Sequence, residues 1–400
     1  MIRPVAVPLN PTDEPAFSRV AQHTAAIRAA AVNTGFDLVG IAPAVTPAGF
    51  SHLVDWIAHG YHGTMEYIPR RLDAYRDPSR VLPGARSVIA LAINHHADPA
   101  PNTEAPAGTS GSVPLSADWS PATAPSPLGR VARYALPPVD YHEVIRRRLR
   151  HLVCQVSDLV PHAKARGVVD TAPVLERDFA RAAGLGWFGK NTLLIHKRLG
   201  SWLFLAAVLV DIELEYDAPH NASHCGTCTR CLDACPTEAF PAPHVLDARK
   251  CISYLTIESR LLPPVDLRER MGDWLFGCDV CQEVCPWNRR APQTADPSFQ
   301  PHPPSTALDP RLFLVLTPEE FAARFGQTPL ARPGWWGLRR NALVVLGNTG
   351  TAADLPLLHT LPPDPTLQPL VDWAIEAIQH RTKSGASADP AHRSSSLPGD

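Results

Sequence analysis

Apolar residues return every three or four positions through residues 17–34, FSRVAQHTAAIRAAAVNT, which predicts an amphipathic helix, and the run FDLVGIA after it predicts a short strand. A second helix is expected over SHLVDWIAHG, and the unbroken apolar character of Ser87–Ile93, SVIALAI, predicts a buried strand. From Ala97 to about Gly129 the periodicity stops, and Pro, Ala, Ser and Thr dominate. A stretch so poor in large apolar residues cannot bury enough surface to order itself, so a flexible insertion is expected there. Patterning resumes with RVARYALPPVDYHEVIRRRLRHLVCQVSDLV, a loop leading into a helix, then RDFARAAGLGWFGKNTLLI and a strand-length run at Trp202–Val210. Helix and strand alternate without a repeating unit, so the fold class reads as α+β rather than a doubly wound sheet.

Beyond Leu308 the segments TPEEFAARF, WWGLRRNALVVLGNTG, AADLPLLHTL and LQPLVDWAIEAIQHR read as short helices separated by Gly or Pro. They suit one or two helical pairs of the HEAT type, too few for a solenoid and so expected to pack on the preceding domain. From about Lys383 the chain is Ser, Pro, Ala and Gly, an expected disordered tail.

Composition narrows the function classes. Over 400 residues, 45% apolar and 19% charged residues describe a globular chain with a sizeable core. The formal net charge of −2 gives no global signal for nucleic acid, so such binding must rest on a local patch. The best apolar run, WLFLAAVLV, stops at Asp211, far short of a membrane span, and the N-terminus lacks the apolar stretch of an export signal. No membrane association is expected.

Eight of the nine cysteines lie between residues 225 and 285, which reads as metal ligation in a reducing cytoplasm rather than as disulfides. Cys225, Cys228, Cys231 and Cys235-Pro236 match the bacterial ferredoxin run, whose fourth cysteine ligates the other cluster in two-cluster proteins. The downstream group, Cys278, Cys281 and Cys285-Pro286, is one thiolate short, and Cys251 in ARKCISYLT can supply it. The count then closes as Cys225, Cys228, Cys231 and Cys285 for one 4Fe–4S cluster, and Cys235, Cys251, Cys278 and Cys281 for the other. Two structural zinc sites are the plainer alternative, disfavoured by the two Cys-Pro closures and the triple run. Cys154, in RHLVCQV, reads as a buried hydrophobe, and His224 is not needed for the ligand count.

GLGWFGKN, Gly184–Asn191, satisfies G-x-G-x-x-G and nearly satisfies the phosphate-loop pattern. Both patterns need a strand before and a helix after. Here a helix precedes and a strand follows, so nucleotide binding is not expected. The glycines are expected instead to let backbone lie close to another large, flat ligand.

The segments WIAHGYHGTMEYIPRR, LPGARSVIALAIN, DTAPVLERDFARAAGLGWFGKNTLL, CGTCTRCLDACPTEAF, CISYLTIESR, FGCDVCQEVCPWN and LRRNALVVLGNTG together resemble the epoxyqueuosine reductase family. The resemblance covers most of the chain. It implies a cobalamin-binding catalytic domain over residues 1–215 with the insertion at 97–129, and a double 4Fe–4S ferredoxin-like module over 216–304. A HEAT-like helical domain over 305–382 and a tail over 383–400 complete it. It further implies tRNA carrying epoxyqueuosine in the anticodon loop as substrate, and an external low-potential electron donor. PPVDYH, INHH and the insertion depart from the family pattern.

Deoxygenating an epoxide needs two electrons, two protons and a positioned acid. The resemblance places that acid at Asp170, in VVDTAPVLER, where a helix cap before APVLER is the ordinary role. To act, its pKa is expected to be raised in a poorly hydrated pocket. Asp140 and Asp178 are weaker candidates. Asp140-Tyr141-His142 begins the D-x-H-x-x-G pattern of histidine-on cobalamin proteins, but Ile145 replaces its glycine, in keeping with a family that leaves cobalt without a protein histidine. Tyr134, Tyr141, Asp170, Lys190, Ser253 and Asp279 are expected corrin contacts. Arg289, Arg290, Arg339 and Arg340 are expected to meet tRNA, whereas Arg146–Arg150 reads as a solvated helix face. The rival reading is a cobalamin-dependent reductive dehalogenase acting on a small molecule, and a bare electron carrier would leave the first two hundred residues unexplained.

Overall fold

The computed structural model describes residues 16–97, 128–301 and 307–383. The expected insertion, apart from its ends, and the tail beyond Lys383 lie outside the described residues. A four-stranded antiparallel sheet organises the first part of the chain, in the order Leu38–Pro43, Ser87–Asn94, Leu203–Val210, Ala165–Val168. Ser87–Asn94 is buried along its whole length, which explains its unbroken apolar sequence: both faces of the sheet are covered. Ile89, Leu91 and Ile93 point to one face with Phe204, Ala206 and Val208, against the helices Ala16–Asn33 and Tyr141–Leu159. Val88 and Ala90 point to the other with Ala207 and Leu209, against Phe179 of the helix Glu176–Ala182. This is the period of two that a pleated strand imposes.

The helix Tyr141–Leu159 starts on Asp140, whose carboxylate accepts the His142 N–H, and buries Val144, Ile145, Leu149, Leu152 and Val156 at helical spacing. Truncating Leu152 to alanine would cost about 2–5 kcal/mol. Cys154 points outward and is exposed, contrary to the expected buried hydrophobe: it falls two residues beyond the buried Leu152, off the apolar stripe. Within the arginine run, Arg148 pairs with Asp296 and donates to the Gly35 carbonyl, while its neighbours face solvent.

A second, three-stranded sheet joins distant parts of the chain. Gly129–Val131 lies in its middle, parallel to Trp274–Phe276 and antiparallel to Ala307–Leu308. Its core runs from Leu255, Met271 and Phe276 into Phe313, Leu338, Leu343, Leu346, Leu370 and Ile378. The C-terminal helices Pro318–Phe325, Gly334–Thr349, Leu355–His359 and Gln368–Lys383 therefore pack on the cysteine-rich region, as their apolar faces predict. Thr317 and Glu320 form a capping box on the first of them. Gly347 is required where two helices cross, because a Cβ there would stand 2.1 Å from the Trp373 ring.

Candidate active site and cluster ligands

Asp170 follows the strand Ala165–Val168 and takes a left-handed backbone conformation, φ 53°. A non-glycine residue held there costs about 1–3 kcal/mol and persists only where its surroundings demand it. The surroundings here are polar. The Tyr141 hydroxyl donates to Asp170 Oδ2 at 3.0 Å, and His142 Nε2 lies 3.0 Å from the same oxygen. The other ring nitrogen, Nδ1, is 2.8 Å from Asp140 Oδ1. His142 is thus clamped between two carboxylates, with its side chain only 11% exposed. Burial alone would lower its pKa, but the carboxylates outweigh burial and raise it to about 9. At neutral pH it is an imidazolium that donates to both.

Burial pushes the Asp170 carboxyl up, but His142, the Tyr141 hydroxyl and the positive field of Arg332 win, and the group is held below the ordinary carboxylate range. The expectation of a raised pKa is therefore corrected: without substrate, Asp170 is an anion. Its side chain is still 55% exposed, so solvent reaches it. Tyr141 stacks on Phe204 at 4.2 Å and meets Tyr134 edge-on at 5.8 Å. Burial raises both phenols strongly, so both remain donors.

Sequence reasoning missed several neighbours. Glu176, at the start of its helix, has a buried Oε1 with no hydrogen-bond partner among the described residues, and burial pushes its carboxyl up to about 8. Tyr67, Tyr75 and Arg332 act electrostatically on the same pocket, with Arg332 donating to Glu258 at 2.6 Å. The glutamate was visible in D-T-A-P-V-L-E-R, but nothing in that string shows a buried carboxylate oxygen left without a partner.

The cysteines fall into two groups. Burial raises the thiols of Cys231, Cys251, Cys278, Cys281 and Cys285, and the further push identifies neighbours: Cys285, Cys225 and Cys228 act on Cys231, and Cys225 and Cys228 act on Cys285. Cys251 and Cys235 act on Cys278, Cys235 acts on Cys251, and Cys251 and Cys278 act on Cys281. Cys281 also feels Cys231, so the groups adjoin. Cys251 and Cys285 both stand as extended residues opening a helical turn, and each sulfur lies over the first N–H groups of that turn, those of Ser253 and Tyr254 for Cys251 and of Trp287 and Asn288 for Cys285. Trp187, Trp287 and His224 crowd the group containing Cys225 and Cys285. Tyr134 packs against Phe276 and thereby links the Cys278 segment to Tyr141 and Asp170.

Of the expected corrin contacts, the structure gathers Tyr134, Tyr141 and Asp170, with Asp279 close behind. Asp279 is 2% exposed, accepts the Arg133 N–H at 2.7 Å, and is pushed up to about 7 by burial. The Ser253 hydroxyl reaches Cys251. Lys190 is occupied elsewhere: its ammonium donates to the carbonyls of Gly226 at 2.8 Å and Cys228 at 3.0 Å, holding the first cysteine loop. Asp178 accepts the Gly49 N–H and is structural.

Two expectations fail outright. Arg340 is completely buried and donates to the carbonyls of Leu255, Ser259 and Leu261, while Arg339 is 7% exposed with its guanidinium over Trp335. Neither presents an open guanidinium to a phosphate: Arg340 is inside the interface between the helices and the cluster region, and Arg339 is buried among the C-terminal helices themselves, 3.8 Å from Asp364. Arg289 and Arg290 are exposed. At Gly186 of the glycine loop the close approach is to the chain itself, since a Cβ there would stand 2.2 Å from the Ile195 carbonyl oxygen. The helix Glu176–Ala182 precedes the loop and the hairpin Trp187–Phe188 with Leu194–Ile195 follows, the reverse of a nucleotide loop.

Against known proteins, residues 224–288 match the family model described as 4Fe-4S double cluster binding domain, and residues 76–171 match that of epoxyqueuosine reductase QueG, DUF1730. The chain is 38% identical over 379 residues to an epoxyqueuosine reductase of Pseudomonas aeruginosa, spanning 93% of this chain and 98% of that one. It is 37% identical over 326 residues to one of Cyclobacterium marinum, spanning 81% and 97%. Its fold is similar to a crystal structure of epoxyqueuosine reductase with a tRNA-Tyr epoxyqueuosine-modified tRNA stem loop. That likeness has a TM-score of 0.78 at 29% identity and spans 89% of this chain and 90% of the other.

Proposed function

The chain belongs to the epoxyqueuosine reductase family, and on that premise we propose that it reduces the epoxide of epoxyqueuosine to the cyclopentene diol of queuosine in tRNA. It is an oxidoreductase with a double 4Fe–4S domain. The observation that carries the finer reading is the convergence of Tyr141 and His142 on one half-exposed carboxylate, joined through Tyr134 to the cysteine groups.

Cys225, Cys228, Cys231 and Cys285 are assigned to one cluster, and Cys235, Cys251, Cys278 and Cys281 to the other. The cysteines of the first group lie beside Trp287 and His224, and the Cys278 segment of the second reaches Asp170 through Phe276, Tyr134 and Tyr141, an order in which clusters held there would carry electrons inward from an external low-potential donor. Cobalamin, when bound and reduced through the clusters, would supply low-valent cobalt as the reductant of the substrate carbon. The residues suit it: an open carboxylate, two phenols and the unpartnered Glu176 oxygen offer donors and acceptors to the amide rim of a corrin. Tyr134, Tyr141, Ser253 and Asp279 are the contacts assigned from this chain, with Lys190 fixing the adjoining loop. Asp170 gives its proton to the epoxide oxygen, and Arg289 and Arg290 face the tRNA backbone.

The division at residues 215, 304 and 382, the HEAT-like character of the last helices and a cytoplasmic site of action, where tRNA is found, belong to the same reading. No helix among the described residues is long and apolar enough to cross a membrane. The deciding experiment reconstitutes the protein anaerobically, counts about eight irons and one corrin, and follows epoxyqueuosine in an anticodon stem-loop. Absence of conversion with clusters and corrin both loaded overturns the proposal.

A further inference from the structure

Removing an epoxide oxygen as water breaks two C–O bonds, forms two O–H bonds, and consumes two electrons and two protons. The external donor supplies the electrons through the clusters. The protons need a source, because Asp170 in the substrate-free protein is an anion that accepts hydrogen bonds from Tyr141 and His142. We propose, resting on the function above, that His142 is the proton store of the reaction, loading Asp170 from Nε2 while Asp140 holds Nδ1.

The geometry supports a direct transfer. His142 Nε2 and Asp170 Oδ2 are 3.0 Å apart, and Nδ1 and Asp140 Oδ1 are 2.8 Å apart. The Asp140 carboxylate also accepts the His142 backbone N–H at 2.8 Å, which fixes the ring relative to its own helix. The imidazole packs against Tyr141 at 4.1 Å, so it cannot swing without disturbing the second donor to Asp170. In the transfer the Nε2–H bond breaks and the Oδ2–H bond forms. The neutral ring left behind is the Nδ1–H tautomer that Asp140 accepts. A solvent proton recharges Nε2 before the next delivery, and two deliveries accompany the two electrons.

Substrate binding provides the trigger. In the open pocket, solvent favours the charge-separated pair. A nucleobase covering the 55% of the Asp170 side chain now exposed removes that solvation, which penalises both ions and moves the proton onto the carboxylate. The neutral acid therefore forms only when there is an epoxide to protonate. This also reconciles a carboxylate depressed in the free protein with its work as an acid. The charged and titratable groups around the pair are Asp140 and Arg146 on the helix side, Arg332 and Glu258 across the pocket, and Tyr67, Tyr75, Tyr134, Tyr141 and Glu176 around Asp170. Of these, Arg332 opposes loading and Glu176, when ionised, favours it.

The test uses the full chain and has two readouts. With ring-labelled histidine in the corrin-free protein, the resonance that His142→Gln removes should titrate near 9, and should fall toward the ordinary value in Asp140→Asn and in Asp170→Asn. An ordinary or lower value in the unmodified protein overturns the proposal. In single turnover with clusters and corrin loaded, conversion should decline as pH rises through about 9. His142→Gln should slow it by about 10²-fold and flatten that decline, and Asp140→Asn, which keeps the imidazole, should move the decline to lower pH. Unchanged rate and profile in both variants also overturns it. Conversion by the unmodified protein tests the function itself, so the two failures are distinguishable. Iron and corrin content equal to the unmodified protein shows that the variants fold.

Discussion

Replacing Arg340 by alanine should loosen the C-terminal helices from the cluster region while leaving tRNA recognition intact. The guanidinium is 0% exposed and donates to three backbone carbonyls, Leu255, Ser259 and Leu261, and to Asn341 Oδ1. Burial lowers its pKa to about 10, so it remains a cation at neutral pH. Truncation leaves three carbonyls without a partner, at about 1–3 kcal/mol each, and removes the side chain beside Trp336. Water entering the space restores part of this, so a net loss of about 3–5 kcal/mol is expected. Each kcal/mol moves the melting midpoint of a domain of this size by about 2–4 °C, giving a fall of roughly 6–20 °C. Tryptophan fluorescence reports the transition, since Trp335, Trp336 and Trp373 all lie in these helices. Stem-loop binding is then measured in the cold across a salt series. A buried arginine neutralises no phosphate, so affinity and salt slope should match the unmodified protein. Stability within about 1 kcal/mol of the original, or a folded variant whose salt slope drops by about one, would refute the reasoning.

Asp170→Asn should keep iron and corrin but lose about 10²–10⁴-fold in conversion rate; full activity removes Asp170 as the acid. Cys285→Ser should abolish the electron-paramagnetic signal of the cluster shared with Cys225, and Cys235→Ser that of the other; the reverse pairing would overturn the crossed ligand set. Stability should carry the signature of the Asp140–His142–Asp170 clamp. His142 is raised, so its contribution is full below about 6.5 and lost as pH climbs through about 9. Asp140 and Asp170 are lowered, so theirs is present above the ordinary carboxylate value and lost as pH falls through their folded values. The gap in melting temperature between the unmodified protein and Asp140→Asn should therefore narrow from pH 6.5 to 9, and a gap constant over that range would count against the clamp.

The elements were legible wherever one residue type had one physical reading. SVIALAI could only be a strand covered on both faces, and the breaks between the C-terminal helices fall at Gly and Pro, as at Pro318 and Gly350. The cysteine spacing announced two ligand groups because a ferredoxin run has few other uses. Arg339, Arg340 and Asn341 were harder. A basic pair beside tryptophans has the same composition whether it faces phosphate or stitches carbonyls, and only burial separates the two. Cys154 was misjudged by two positions on a helix, a rotation the sequence does not display. Asp170 was legible as a residue but not as an ion, because its charge is set by His142, brought to it from a helix that starts far back in the chain.

The three-stranded sheet has a consequence for how the protein is made. Gly129–Val131 waits for a parallel partner at Trp274–Phe276 and an antiparallel one at Ala307–Leu308, with the cysteines in between. Long-range pairing of this kind forms late, since the intervening chain must first be brought together. A nascent chain emerging from the ribosome therefore presents its thiols before the sheet can close, and iron can be inserted into an open segment. Once the helices beyond Leu308 dock on Phe276 and Leu255, that window shuts. Because Ala307–Leu308 and the helices beyond it are made last, the sheet and its C-terminal cover can close only after the eight cysteines of residues 225–285 have been made.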